Sequence, residues 1–386
     1  MKNSKVPNVT YKIIRPIVSP FLGLIFHLKS EKAPFVEGPC IIISNHNTDL
    51  DPGFIARSFK EPMYFLTSEH VMSWGFVSRL MEFLGDPVSR LKSTKDAQAA
   101  REVLRRLKEG HRICIFAEGN RSFNGVTGPI AEATGKLVKA GGATLMTYHF
   151  EGGYLTSPRW SRTMRKGRMK GYLKGVYPFS DLKDKTVDEI NRMIKEDLHE
   201  DAYERQRTEH VRFKGKNLAE WLEIALYMCP ECERIGNMKS SNNRFYCEAC
   251  SFETHIDEYG YFDKASPFKT ITEWDLWQTK KMKELQKYDL QDDEQELYKA
   301  DPHNHERNLL YKGTLLANEE GMTMGDYHFA FKDMVNMNIN GRMMITFFVD
   351  QNHYEIRSGH PRSGRKYLAV YQIMRERERP EYNRGE

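Results

Sequence analysis

The sequence predicts an α/β fold, a mixed sheet flanked by helices, with a four-cysteine ribbon and a small β-rich module appended. Short apolar runs alternate with helical patterns through the first half of the chain. Two Cys-x-x-Cys pairs follow, and after them come runs of alternating hydrophobicity bounded by turn residues. These three observations divide the 386 residues into 1–215, a ribbon over 216–260, a helical connector over 261–305 and a β-rich module over 306–386. A chain of this length exceeds one compact core, so several domains are expected.

Residues 17–28 are apolar but hold Pro20 and fall short of the roughly 18 apolar residues of a spanning helix. Lys12 and Arg15 precede them, and Phe21, Leu22, Leu24, Ile25 and Phe26 lie within. That pattern fits a helix lying in a membrane interface, and equally a helix packed on the core. Cys40-Ile41-Ile42-Ile43 then reads as a buried strand and residues 61–66 as a second. Ser93 or Thr94 caps a helix through Gly110, with Val103, Leu104 and Leu107 on one face. Strands are expected at 113–116 and 144–150, with a helix around 136–139 between them. Thr186-Val187-Asp188-Glu189 is a capping box that opens a helix towards Leu198. In a sheet of this kind the loops at strand ends carry the active residues.

The first such loop holds His46 and Asp51, a His-x4-Asp pair directly after the strand. A carboxylate that holds one ring nitrogen frees the other to accept a proton, which suits removal of a proton from a hydroxyl. Alone, the spacing favours the bland reading, a loop histidine with an incidental capping Asp. The second loop follows the strand at 113–116 and reads Ala117-Glu118-Gly119-Asn120-Arg121-Ser122. Its glycine lets backbone N–H groups approach a ligand, and its arginine offers a planar fork suited to phosphate oxygens. Between the two loops, Gly85-Asp86-Pro87-Val88-Ser89-Arg90 places a second arginine after a turn.

In this order, the three blocks resemble the glycerolipid acyltransferase family typified by lysophosphatidic acid acyltransferase. Asn45, His46 and Asp51 match its Asn-His-x4-Asp motif, Glu118, Gly119 and Arg121 match Glu-Gly-Thr-Arg, and Arg90 falls at the arginine of the intermediate motif. The resemblance spans about residues 10–210 and implies the family's α/β fold. It also implies transfer of a fatty acyl group from acyl-CoA, or an acyl carrier protein, to a lysophospholipid hydroxyl. His46 is then the base and Asp51 its partner. Arg121, helped by Arg90, seats the acceptor phosphate; Glu118, Gly119 and Asn120 belong to the same substrate-binding turn, with Glu118 ordering the turn and the arginine. Two departures bear on acceptor and acyl-chain choice. Asn120 stands where the family has Thr, and residues 143–148 replace a Val-Pro-rich motif. Cys40 and Cys114 read as small buried hydrophobes, since the chemistry needs no thiol nucleophile.

Cys229-Pro230-Glu231-Cys232 and Cys247-Glu248-Ala249-Cys250 stand 14 residues apart. Four thiolates so spaced can surround one zinc in a closed, structural site. Iron in a rubredoxin-like site and disulfides are the alternatives, and the lack of any export-signal character favours zinc. A connecting helix is expected over 271–297, with Trp274, Leu276 and Trp277 among its charges. The tail resembles a small pleckstrin-homology or GRAM-like barrel.

Between Gly152 and Ser180 there is no Asp or Glu, but there are Arg159, Arg162, Arg165, Lys166, Arg168, Lys170 and Lys174. Such a stretch suits lipid headgroups or coenzyme A phosphates, with a solvated face as the bland reading. The net charge of +5 fits an anionic surface as partner. A cytoplasmic protein peripheral on the inner face of the membrane is therefore expected. The competing function is a non-catalytic membrane or nucleic-acid adaptor built on the ribbon and the basic stretch.

Overall fold

The computed structural model describes residues 5–68, 88–90, 97–301 and 306–378. The turn at 85–87 and the helix cap at Ser93 or Thr94 lie outside them. The chain forms two compact units, Met1–Arg159 with Met164–Lys214, and Trp160–Thr163 with Gly215–Glu386.

The first unit is built on a mixed sheet. Its strands are β1 (Leu28–Ser30), β2 (Cys40–Ser44), β3 (Tyr64–Ser68), β4 (Val88–Arg90), β5 (Arg112–Phe116), β6 (Thr144–Glu151) and β7 (Met169–Tyr177), in the order β1-β7-β6-β2-β5-β3-β4. β2 runs parallel to both β5 and β6, while β7 returns antiparallel to β6. Every residue of β2 is buried, which explains its unbroken apolar run: a central parallel strand is covered on both faces. The pleat sends alternate residues to two cores. Ile41 and Ile43 join Val103, Leu107, Ile113, Ile115 and Leu145. Cys40 and Ile42 join Phe54, Ile55, Cys114, Met146 and Tyr148 on the other side. Both cysteines outside the ribbon are thus core residues, as read from sequence.

Helices α1 (Lys5–Ile25), α2 (Asp51–Ser58), α3 (Ala97–Lys108), α4 (Ala133–Gly141) and α5 (Val187–Leu198) flank the sheet. α5 opens with the expected capping box, Thr186 accepting from the Glu189 N–H and Glu189 from the Thr186 N–H. α1 differs from expectation: it starts earlier, carries both Pro16 and Pro20, and stops at Ile25. Leu28 belongs to β1, paired with Met169 of β7.

The second unit begins with the ribbon, strands β8 (Met238–Ser241), β9 (Arg244–Cys247) and β10 (Glu253–His255), in the order β10-β9-β8. Helix α6 (Ile271–Glu284) follows. The helix expected over 271–297 ends there, and residues Leu290–Ala300 form strand β11. Leu290, Gln295, Leu297 and Ala300 are buried. The bulge between Asp292 and Gln295 breaks the strict alternation by which a strand is recognised in sequence. Strands β12 (Arg307–Ala317), β13 (Gly321–Met324), β14 (Tyr327–Ala330), β15 (Val335–Asn340), β16 (Met344–Val349) and β17 (Asn352–Ser358) continue as an antiparallel meander. β17 returns to pair with β11, and helix α7 (Gly364–Glu378) ends the described chain. The boundary expected at residue 305 therefore falls inside the β-rich sheet, between β11 and β12.

Candidate active site

Parallel pairing brings the two motif loops together. Ser44 lies level with Phe116 of β5 and Tyr148 of β6, so β2 and β5 end together, while β6 runs on three residues to Glu151. His46 and Glu118 each lie two residues past those partners. The His46 backbone N–H donates to Glu118 Oε1 at 2.7 Å, and the Gly128 N–H donates to Glu118 Oε2 at 2.6 Å. Glu118 thus ties one loop to the other. Burial pushes its carboxyl up to about 8, against the opposing pull of those two donors. Gly119 adopts φ 69°, a left-handed conformation that favours glycine at this turn.

Asp51 opens α2 and is fully buried. Its Oδ2 accepts from the N–H groups of Asn47 at 2.7 Å and Thr48 at 2.9 Å, and its Oδ1 from Thr48 Oγ1 at 2.7 Å. The same Oδ2 lies 2.9 Å from Nδ1 of His46. Such a carboxylate cannot swing away without abandoning several donors, so the ring it holds has one orientation. A proton on Nδ1 leaves the Nε2 lone pair free. The ring stacks on Phe116, with centroids 4.6 Å apart and planes 23° apart, and is 21% exposed. It is therefore braced on one face and reachable from solvent.

The rest of the brace comes from residues distant in sequence. Asn45 exchanges hydrogen bonds with the Phe150 backbone, donating from Nδ2 at 2.8 Å and accepting the N–H at Oδ1 at 2.8 Å. Its neighbour Asn47 donates to the Phe150 carbonyl and to Glu200 Oε2, both at 3.1 Å. Glu200 also receives the Gly152 N–H at 3.2 Å and lies 3.4 Å from Arg205. Burial raises its carboxyl to about 7, with Arg205 the main opposing influence. A Cβ on Gly153 would lie 2.5 Å from Cβ of Asn47, so a side chain there would displace the loop. Glu200 has no local motif, which is why sequence reasoning did not select it.

Arg121 meets the His46 loop through Asp49, and its side chain is enclosed. Its side chain is 7% exposed, with Nη2 3.0 Å from Asp49 Oδ2 and Nη1 donating to the Ser157 carbonyl at 3.2 Å. Arg159 donates from Nη1 to the Arg121 carbonyl at 2.9 Å and from Nη2 to Asn120 Oδ1 at 3.4 Å. The Arg159 guanidinium lies 4.1 Å from the centroid of Phe123. Asn120 therefore meets the protein's own arginine in this structure. Arg90 ends β4, and its side chain lies outside the described residues. The basic stretch is divided: two of its seven cations are built into the fold, while Arg162, Lys166, Arg168 and Lys174 stay exposed and Lys170 partly so. Arg159 and Arg165 are buried, Arg168 pairs with Glu209, and Lys170 with Glu209 and Glu151. The balancing acids lie outside the window in which the cations were counted.

In the second unit, the Sγ atoms of Cys229, Cys232, Cys247 and Cys250 all lie within 4.8 Å of one another. Cys229 and Cys250 are 3.7 Å apart, and Cys232 and Cys247 3.8 Å. Zn–S bonds of about 2.3 Å at tetrahedral angles put sulfurs roughly 3.8 Å apart, whereas a disulfide requires about 2.05 Å. The donor set fits a metal ion. Beneath it, Trp274 of α6 is fully buried among Phe245, Phe252, Phe262 and Phe268, with centroids 5.3–5.7 Å away, and its indole N–H donates to the Met228 carbonyl at 3.0 Å. The ribbon thus shares an aromatic core with the helix after it.

Residues 25–150 match the Acyltransferase family model. Among solved structures, the chain is similar to the crystal structure of the 1-acyl-sn-glycerophosphate acyltransferase PlsC from Thermotoga maritima, at 16% identity and a TM-score of 0.42. The match covers 56% of this chain and 86% of that one.

Proposed function

We propose that the protein is a phospholipid-biosynthetic O-acyltransferase, a reading supported by the match of residues 25–150 to the Acyltransferase family model. It moves a fatty acyl group from acyl-CoA, or an acyl carrier protein, to the free hydroxyl of a lysophospholipid. The acceptor we favour is 1-acylglycerol-3-phosphate, giving phosphatidic acid. The observation that carries this reading is the His46 ring held at Nδ1 by a buried Asp51.

Nε2 of His46 takes the acceptor's hydroxyl proton as the oxygen attacks the thioester carbonyl. The C–S bond then breaks, and the thiolate leaves with the proton returned by the imidazolium. Asp51 stabilises the imidazolium between those events. No covalent enzyme intermediate is needed, because positioning two substrates beside a base is itself worth several powers of ten. Arg121 seats the acceptor phosphate with help from Arg90. Arg121→Ala is expected to raise KM for lysophosphatidic acid about 10- to 100-fold, the worth of a charge-assisted contact. A phosphate-free acceptor that suffers equally would remove the phosphate seat.

Docking on a membrane surface brings the acceptor within reach. α1 exposes Ile13, Ile17, Phe21 and Leu24, each 58–76% accessible and spaced along one face. Its other side is tied to α2, where Tyr11 donates to the Phe59 carbonyl at 2.9 Å and Arg15 to that of Ala56 at 2.7 Å. No helix among the described residues is long and apolar enough to cross a membrane. An apolar face lying in the interface fits both facts. Ile17→Glu combined with Phe21→Glu should cut binding to anionic phospholipid vesicles at least about tenfold, since each buried side chain contributes roughly 1.5–3 kcal/mol. Unchanged co-sedimentation with vesicles would refute this. In the ribbon, the four thiolates hold zinc in a structural role, and the cation supplies folding free energy rather than chemistry.

A further inference from the structure

The His46 loop contains a second carboxylate that takes no part in holding the base. Asp49 is 51% exposed, and its Oδ2 lies 3.0 Å from Nη2 of the enclosed Arg121. On the protein side this guanidinium is fixed by the Ser157 carbonyl, while Arg159 grips the backbone carbonyl of the same residue. Asp49 is the solvent-facing partner. An anion approaching Arg121 from solvent meets that carboxylate first.

We propose that Asp49 is a specificity-determining placeholder, occupying on Arg121 the position that the acceptor's phosphate takes. The inference rests on the phosphate seat proposed above and goes beyond it by naming the group that must be displaced. A carboxylate carries one negative charge and a phosphate monoester up to two, so a dianion competes well for a single guanidinium while a monoanion or neutral headgroup competes poorly. Release costs Asp49 little, because half of it is already in water. Asp49 is three residues after His46 and two before Asp51, so the exchange is felt within the loop that positions the base. The second ionisation of a phosphate monoester lies near pH 6. Headgroup binding should therefore weaken as pH falls through that value.

The test titrates the purified full-length chain with glycerol 3-phosphate at pH 8 and pH 5.5, using wild type, Asp49→Asn and Arg121→Gln, with circular dichroism to check folding. Asp49→Asn is expected to bind about two- to fivefold more tightly, as removal of a half-exposed ion pair allows. Arg121→Gln should bind weakly at both pH values. If Arg121→Gln weakens binding but Asp49→Asn matches wild type or binds less well, the placeholder is overturned and the phosphate seat stands. If Arg121→Gln binds like wild type, the seat itself fails, and the placeholder with it.

Discussion

Replacing His46 with Ala is expected to lower kcat for acyl transfer by about 10²- to 10⁴-fold, the usual worth of a positioned general base. KM for both substrates should change little, since the ring contributes to the transition state rather than to headgroup or donor binding. The fold should survive. The ring is partly exposed and braced on Phe116 rather than buried in either core. Asp51→Asn should produce a comparable loss for a different reason. Oδ2 accepts from two backbone N–H groups and faces Nδ1 of His46. An amide nitrogen turned into that position would confront donors, and an amide oxygen there would leave the imidazolium without its counter-charge. Steady-state kinetics on both variants, with melting temperatures alongside, separates loss of chemistry from loss of structure. A His46→Ala enzyme with wild-type kcat would remove the base assignment.

The second large effect is expected in the ribbon. The purified chain should carry one zinc, and Cys232→Ser or exhaustive chelation should unfold the ribbon, because zinc-finger-like sites bind with an apparent free energy of about 10–16 kcal/mol at neutral pH. The aromatic packing of Trp274 does not substitute for the metal. Its neighbours Phe245 and Phe252 sit on segments that the cysteine knuckles hold in register: Cys247 ends β9, and its N–H donates to the Phe252 carbonyl at 3.0 Å. Loss of the metal should therefore expose Trp274, with a red-shifted emission and faster proteolysis between residues 229 and 255. Metal analysis together with limited proteolysis measures both. A metal-free protein that resists protease as well as the native one would show that the thiols are not a structural site, and a coloured protein containing iron would correct the choice of metal.

How far each site could be read depended on distance along the chain. His46 and Asp51 are five residues apart and Cys229 and Cys232 three, so local spacing carried their geometry into the sequence. The Asn45 bond to Phe150 spans 105 residues and the Asn47 bond to Glu200 spans 153; the pairing of β2 with β6 brings the first together, and the turn after α5 brings in Glu200. Arg159 and Arg165 show the complementary failure. Composition marked them as surface cations, yet both are buried, Arg159 against the turn at Asn120 and Arg121. Glu118 was expected to order the turn and the arginine; its oxygens bind backbone N–H groups of His46 and Gly128, a link between loops that depends on β2 and β5 ending level. In the tail, hydrophobic period could not separate the end of α6 from the start of β11, because the bulge near Glu294 interrupts the strand's alternation.

The central claim is that the acceptor's hydroxyl, activated by His46, attacks the thioester directly. The most direct measurement follows release of the CoA thiol and the position of labelled acyl groups, with and without lysophosphatidic acid, in wild type and His46→Ala. The account predicts thiol release from wild type that tracks diacyl product and requires the acceptor, and a loss of both in the variant. A burst of thiol without acceptor that leaves label on the protein, or equal turnover by the variant, would contradict it.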